Sequence, residues 1–263
     1  MNSPERPKEA SESPARTKYF SNFALSHLKS MRVHQEGGIL AGRTKEEKIE
    51  NKGWRNISEH CLTEAVGADI LAEHLGLDEG DRNRVVQAVL LHDWYKRREV
   101  KAMKELGGAV GHLKAESESV QRLAQYVDDK EVVRLARSLI PEARSGEYIT
   151  PQGLGEKIVH FIDLITQDAR FVRNYDERLI PIMQRPPDVE RSEVYRRQYG
   201  GKSLYEVQKE IGDAEQEEFE TILGLEHGTL SQFLMEKLNE RIITFSNEKG
   251  VASDGTVGGR FRQ

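Results

Sequence analysis

Cysteine is nearly absent from this chain of 263 residues: Cys61 stands alone, so no disulfide can form within the chain, and a reducing compartment is the natural setting. No stretch approaches about 18 consecutive apolar residues, so no membrane-spanning helix is expected. The first twenty residues lack the apolar segment of an export signal, and the expected location is cytoplasmic. Net charge is only -5, with an isoelectric point near 6.0, and aromatics make up 7%. Long-range attraction to a polyanion is therefore missing, and neither a long nucleic acid nor a membrane surface is an expected partner. Cys61 lies in an apolar pattern beside His60, where it reads as a small buried hydrophobe or as a nucleophile.

Charge as such is plentiful. At 32% charged residues and a mean hydropathy of -0.66, the chain has long solvated helix faces. Residues 1–17 are rich in Ser, Pro, Glu and Lys and cannot bury enough surface to offset ordering, which predicts a disordered tail. Glycine recurs from residue 250 onward, and 246–263 reads as a second flexible tail. Between them apolar residues fall at three- and four-residue steps, predicting helices over 57–75, 81–97, 116–126, 130–139, 154–172 and, with a break near Gly224 and Gly228, 203–245. Ser58 is placed to cap the first of these and Gly76 to end it. The expected fold class is an all-α helical bundle over 18–182 with a helical C-terminal extension over 183–245. The acidic run at 213–220 reads as a solvated helix face.

Four polar residues contradict their surroundings. His60, His92, Asp93 and Asp163 each fall in an apolar, helix-patterned stretch, where an unpaired polar group is costly. One divalent ion held between three helices would satisfy all four, and imidazole with carboxylate suits Mn, Fe, Co, Ni or Zn. Other readings stay open: His92 could bond a backbone carbonyl while Asp93 caps the next turn, and Asp163 could belong to a buried ion pair. His160, three residues before Asp163, could pair with it, orient it, or sit at the core edge. Arg55, one turn before His60, is a candidate phosphate contact through its guanidinium, or a plain surface residue.

The order His60, His92-Asp93, Asp163, with gaps of about thirty and seventy residues, resembles the HD-domain metal-dependent phosphohydrolases. HDWYK at 92–96 is similar to the family's frequent HDIGK, and PQGLGEKIVHFIDLI at 151–165 is similar to its last metal helix. The resemblance covers roughly 52–180. It implies an all-α fold in which those four residues bind one divalent ion (Mg among the candidates) that activates water against a phosphoryl group. Lys96 matches the family's lysine near the phosphate or is a helix-end lysine favoured by the dipole, and Glu59, beside His60, is a candidate general base or an exposed helix glutamate. His112 stands where binuclear members carry the first of three further histidines, but the following helix has none, so one metal is expected, with His112 near the substrate or behind the metal ligands.

These expectations amount to a metal-dependent phosphohydrolase acting on a small phosphorylated metabolite, with a nucleotide the first choice of substrate and a homodimer compatible with the sequence. The alternative is a non-catalytic module that keeps the fold and senses a nucleotide or a metal.

Overall fold

Small residues at Ala65, Gly67, Ala68 and Ala72 let neighbours close in on one central helix, α3 (Arg55–His74), which is buried on most of its circumference. The computed structural model describes residues 13–40, 52–137, 143–144, 147–148, 151–184 and 201–251, together with Glu46 and Arg196. The class is all-α, as the helical periodicity predicts. Ahead of α3 lie α1 (Pro14–Ser26), α2 (Leu28–Gly37) and one 3-10 turn (Lys52–Trp54). After it come α4 (Glu79–Leu91), α5 (Lys96–Leu106), α6 (Gly108–Leu123), α7 (Lys130–Ala136), α8 (Leu154–Ile165), α9 (Asp176–Met183), α10 (Leu204–Leu223) and α11 (Leu230–Lys249). Two minimal antiparallel hairpins interrupt the helices: Ala143–Arg144 with Glu147–Tyr148, and Thr166–Gln167 with Arg170–Phe171.

α3 packs on α4 and α8, and α8 carries the densest apolar face: Ile158, Val159, Phe161, Ile162, Leu164 and Ile165 are all buried. Each such side chain contributes roughly 1.5–3 kcal/mol on leaving water. The start of α8 is secured by Glu156, whose carboxylate accepts the backbone N–H groups of Gln152 and Gly153 at 2.7 and 3.1 Å. Gly67 has a packing reason, since a Cβ there would stand 2.6 Å from the Phe171 ring.

Several boundaries differ from the sequence reading. The helix expected over 154–172 stops at Ile165, because Val172 N–H bonds back to Ile165 O at 2.7 Å and closes the second hairpin around Asp168, at φ 53. The helix expected over 81–97 breaks at His92, and a new one starts at Lys96. α3 begins three residues ahead of Ser58, which is no cap but bonds His34. Within the expected tail, Pro14 already opens α1 and Ala15 is buried, while 1–12 lie outside the described residues. At the far end α11 runs to Lys249, and 252–263 lie outside the described residues.

The C-terminal helices belong to the same core. Phe219 on α10 meets Phe161 on α8 edge-to-face at 5.6 Å, and Leu230, Leu234, Leu238 and Ile242 of α11 join the main apolar cluster. The acidic run is only partly solvated. Glu215 bonds His160, and Glu220 accepts the N–H groups of Gly228 and Leu230 at 3.0 Å each, anchoring the turn into α11.

Candidate metal centre

A spacing of four residues puts His60 and Glu64 on one face of α3, a turn apart. The C-terminus of α4 presents His92, the turn after it Asp93, and α8 supplies Asp163. Ligand-capable atoms of His60, Glu64, His92 and Asp163 all lie within 4.8 Å of one another. His60 Nε2 is 2.9 Å from Glu64 Oε1 and 3.6 Å from Asp163 Oδ1. His92 Nε2 is 3.4 Å from Glu64 Oε2, 3.9 Å from Asp163 Oδ1 and 3.8 Å from Asp93 Oδ2. Bonds of about 2.0–2.2 Å from one centre reach atoms spaced like this.

Both imidazoles are held in the tautomer a cation needs. His60 Nδ1 lies 3.0 Å from the Asp168 carbonyl and His92 Nδ1 2.7 Å from that of Val89. A carbonyl only accepts, so each Nδ1 carries a proton and Nε2 is the nitrogen turned to the carboxylates, free to ligate a cation once any proton on it is displaced. His34 sets the helices behind them: its ring spans from Ser58 on α3 to the carbonyl of Leu90 on α4, each two residues before a cluster histidine. Burial holds His34 down at about 4, so it stays neutral and fully bonded.

Glu64 was not anticipated. It is fully buried, and although its Oε1 is near His60, the pair is off the line of a hydrogen bond: both Glu64 oxygens and His92 Nε2 lack a hydrogen-bond partner. A buried, unsatisfied carboxylate costs several kcal/mol unless a cation meets it. Burial pushes Glu64 up. Burial would push His60 down, yet Glu64 and Asp163 hold it up at about 10. Burial alone would also raise Asp163, but Arg178 and the two imidazoles keep it well below the carboxylate range. Arg178, on α9, donates from Nη2 to Asp163 Oδ1 at 2.6 Å. The donor set and its orphaned atoms fit a divalent ion.

The remaining expected residues divide. Lys96 Nζ lies 3.5 Å from Asp93 Oδ1 and 3.4 Å from Glu99, which meets His112 Nδ1 at 3.0 Å, so Lys96 and His112 reach the cluster through a chain of polar contacts. Arg55 and Glu59 bind each other at 2.6 Å on an exposed stretch of α3. His160 turns from Asp163 to the buried Glu215, 2.7 Å away. Cys61 is a core residue whose thiol burial pushes well above its ordinary range. A cleft of about 690 Å³ opens beside the turn, bounded by Trp54, Tyr95, Arg97, Arg98, Lys101 and Lys114 among others. No residue of the four-membered cluster lines it.

Among the described residues no helix is long and apolar enough to cross a membrane. Comparison of the chain with protein-family models, curated proteins and solved structures finds no match.

Proposed function

We propose that this chain is a metal-dependent phosphohydrolase of the HD type, acting on a small phosphorylated metabolite, in the first instance a nucleotide. The observation that carries the reading is the convergence of two Nε2 atoms with the fully buried carboxylate of Glu64, which makes no hydrogen bond, and with Asp163. His60, Glu64, His92 and Asp163 would hold the ion, with Asp93 at its edge. Bound there, the ion would supply Lewis acidity and lower the pKa of water for attack on phosphorus. The carbonyls of Asp168 and Val89 keep both imidazoles aimed. Asp93, 3.8 Å from His92 Nε2 and 3.5 Å from Lys96, would either complete the ligand set or accept the water's proton. Lys96 adds positive charge where the phosphoryl group would develop negative charge.

A second reading has its own support. Glu64 brings the protein donors to four before Asp93 is added, and a shell closed by protein is the habit of structural rather than catalytic sites. A metal- or nucleotide-sensing module therefore stands as the alternative. Purified protein should contain about one divalent ion per chain, and Asp163→Ala should abolish both that ion and the rise in melting temperature on adding Mn. Phosphate released from a panel of nucleoside mono-, tri- and cyclic phosphates supports the enzyme; micromolar binding of a panel member without release replaces it with the sensor.

A further inference from the structure

Arg178 is the guanidinium that enters the centre among the described residues, and nothing in its local sequence DERLIPIM marks it. Its side chain is 15% exposed and reaches from α9 to Asp163. Only one edge of the guanidinium is engaged there: Nη2 is 2.6 Å from Asp163 Oδ1, while Nη1 is buried without a hydrogen-bond partner. A planar guanidinium presents its N–H groups as a fork, and here one prong holds Asp163 while the other is left unmatched. The carboxylates facing it are those of Asp163, Glu64 and Asp93.

The oxygen that Arg178 binds is also the one turned to both histidines, 3.6 and 3.9 Å from their Nε2 atoms. A divalent ion sharing that oxygen would leave a guanidinium beside a dication. Two such charges at close range repel, and the Asp163 carboxylate between them engages only Nη2, leaving Nη1 without an acceptor. An oxyanion relieves this by accepting from Nη1 on one side and facing the ion on the other, and guanidinium is the side chain best shaped for phosphoryl oxygens.

We propose that Arg178 is the oxyanion-binding residue of this centre, recognising a tetrahedral phosphoryl group, free or esterified, through its unpaired Nη1. The inference rests on the metal-centre reading and goes beyond it, since it assigns the ligand's charged group to a residue that holds no metal. Phosphoryl recognition then depends on the ion and on Arg178 together.

The test measures Mn affinity by chelator competition, and inorganic phosphate binding to the Mn-loaded protein by calorimetry, in wild type, Arg178→Gln and Arg178→Lys. R178Q should keep its Mn affinity, because a cation competing for Asp163 is gone, yet bind phosphate roughly ten- to a hundredfold more weakly, the loss expected for one charge-assisted hydrogen bond. R178K should fall between. If R178Q does not fold, R178K and the wild type suffice: phosphate should raise the melting temperature of Mn-loaded wild type more than that of the chelated protein, and R178K should blunt the difference. Weakened Mn binding with unchanged phosphate affinity at loaded sites overturns the proposal and leaves Arg178 a clasp for Asp163. Wild type that binds no Mn removes the metal-centre reading itself, while wild type that binds Mn but not phosphate or its esters removes only the role of Arg178. Adenosine 5′-monophosphate in place of phosphate, giving the same dependence on Arg178, identifies an ester as the source of the phosphoryl group.

Discussion

Glu64 Oε1 lies 2.9 Å from Nε2 of His60, one turn earlier on the same helix, and neither Glu64 oxygen has a hydrogen-bond partner. A side chain that a protein would otherwise exclude from its core is thus held at the focus of two imidazoles and a second carboxylate. Glu64→Gln keeps the shape and removes the charge. It should lower Mn affinity by at least about a hundredfold, since even outer partners of metal ligands are worth ten- to a hundredfold. Metal content after dialysis against graded chelator measures this, and wild-type retention of Mn by E64Q would remove Glu64 from the ligand set.

A proton competes with the ion for His60. Its value in the folded chain, about 10, lies above the ordinary 6.5, so the chelated protein carries this proton throughout the neutral range. Stability from this group is fully present below 6.5 and is lost as pH rises through about 10. Metal binding must displace the proton. Between those limits apparent Mn affinity should therefore climb by about tenfold per pH unit from His60 alone, with about one proton released per ion at neutral pH. Calorimetry in two buffers of different ionisation enthalpy counts that proton, and a count of zero contradicts the assignment of His60 Nε2 as a ligand.

The hairpin after α8 gives a backbone test. Asp168 sits at φ 53, a region that Asp, Asn and Gly tolerate and β-branched residues do not, and its carbonyl accepts the His60 Nδ1–H bond at 3.0 Å. Asp168→Gly should preserve Mn affinity. Asp168→Val should strain the turn by about 1–2 kcal/mol, shift that carbonyl and weaken Mn binding roughly ten- to a hundredfold. Equal affinities in the two variants would show that the carbonyl does not orient His60.

Much of this centre was legible in the sequence, for one physical reason: a polar residue inside an apolar helical stretch announces a partner. His60, His92 and Asp163 were found in that way and converge in the structure. Glu64, in CLTEAVGADI, carries the same signal of a polar residue among apolar ones, and the expected ligand set does not include it. Arg178 left no such trace, lying where the polar start of a short helix gives way to its apolar end, and it enters the site only through the chain reversal at 166–171. That reversal contains neither Gly nor Pro, so nothing in the sequence separates it from the helix or marks the carbonyl that orients His60. In the acidic run, Glu215 and Glu220 were hidden for the converse reason: buried partners on other helices cannot be read from local composition.

His34 sets an acid limit on the scaffold. Its folded value of about 4 lies below the ordinary 6.5, so its contribution to stability is present above 6.5 and lost as pH falls through about 4. The full effect is on the order of 3 kcal/mol. Urea unfolding of chelated protein at pH 7 and pH 4.5 should show a drop in wild type that His34→Gln, which cannot titrate, reduces. A drop of the same size in both would assign the acid sensitivity elsewhere.

Lys96 separates turnover from metal holding. Its Nζ is 3.5 Å from Asp93 Oδ1 and 3.4 Å from a Glu99 carboxylate oxygen, with the side chain 34% exposed, so it borders the cluster without entering it. A methionine in its place fills similar volume with no charge, and the two histidines, Glu64 and Asp163 keep their places. Lys96→Met should therefore leave Mn content unchanged and lower the rate of phosphate release by roughly tenfold to a thousandfold, the range for losing one charge that stabilises a transition state. Loss of kcat at constant metal content supports Lys96 facing the reacting phosphoryl group. Loss of metal together with rate would make Lys96 a support for Asp93, while full activity in K96M would return it to the role of a helix-start lysine paired with Glu99.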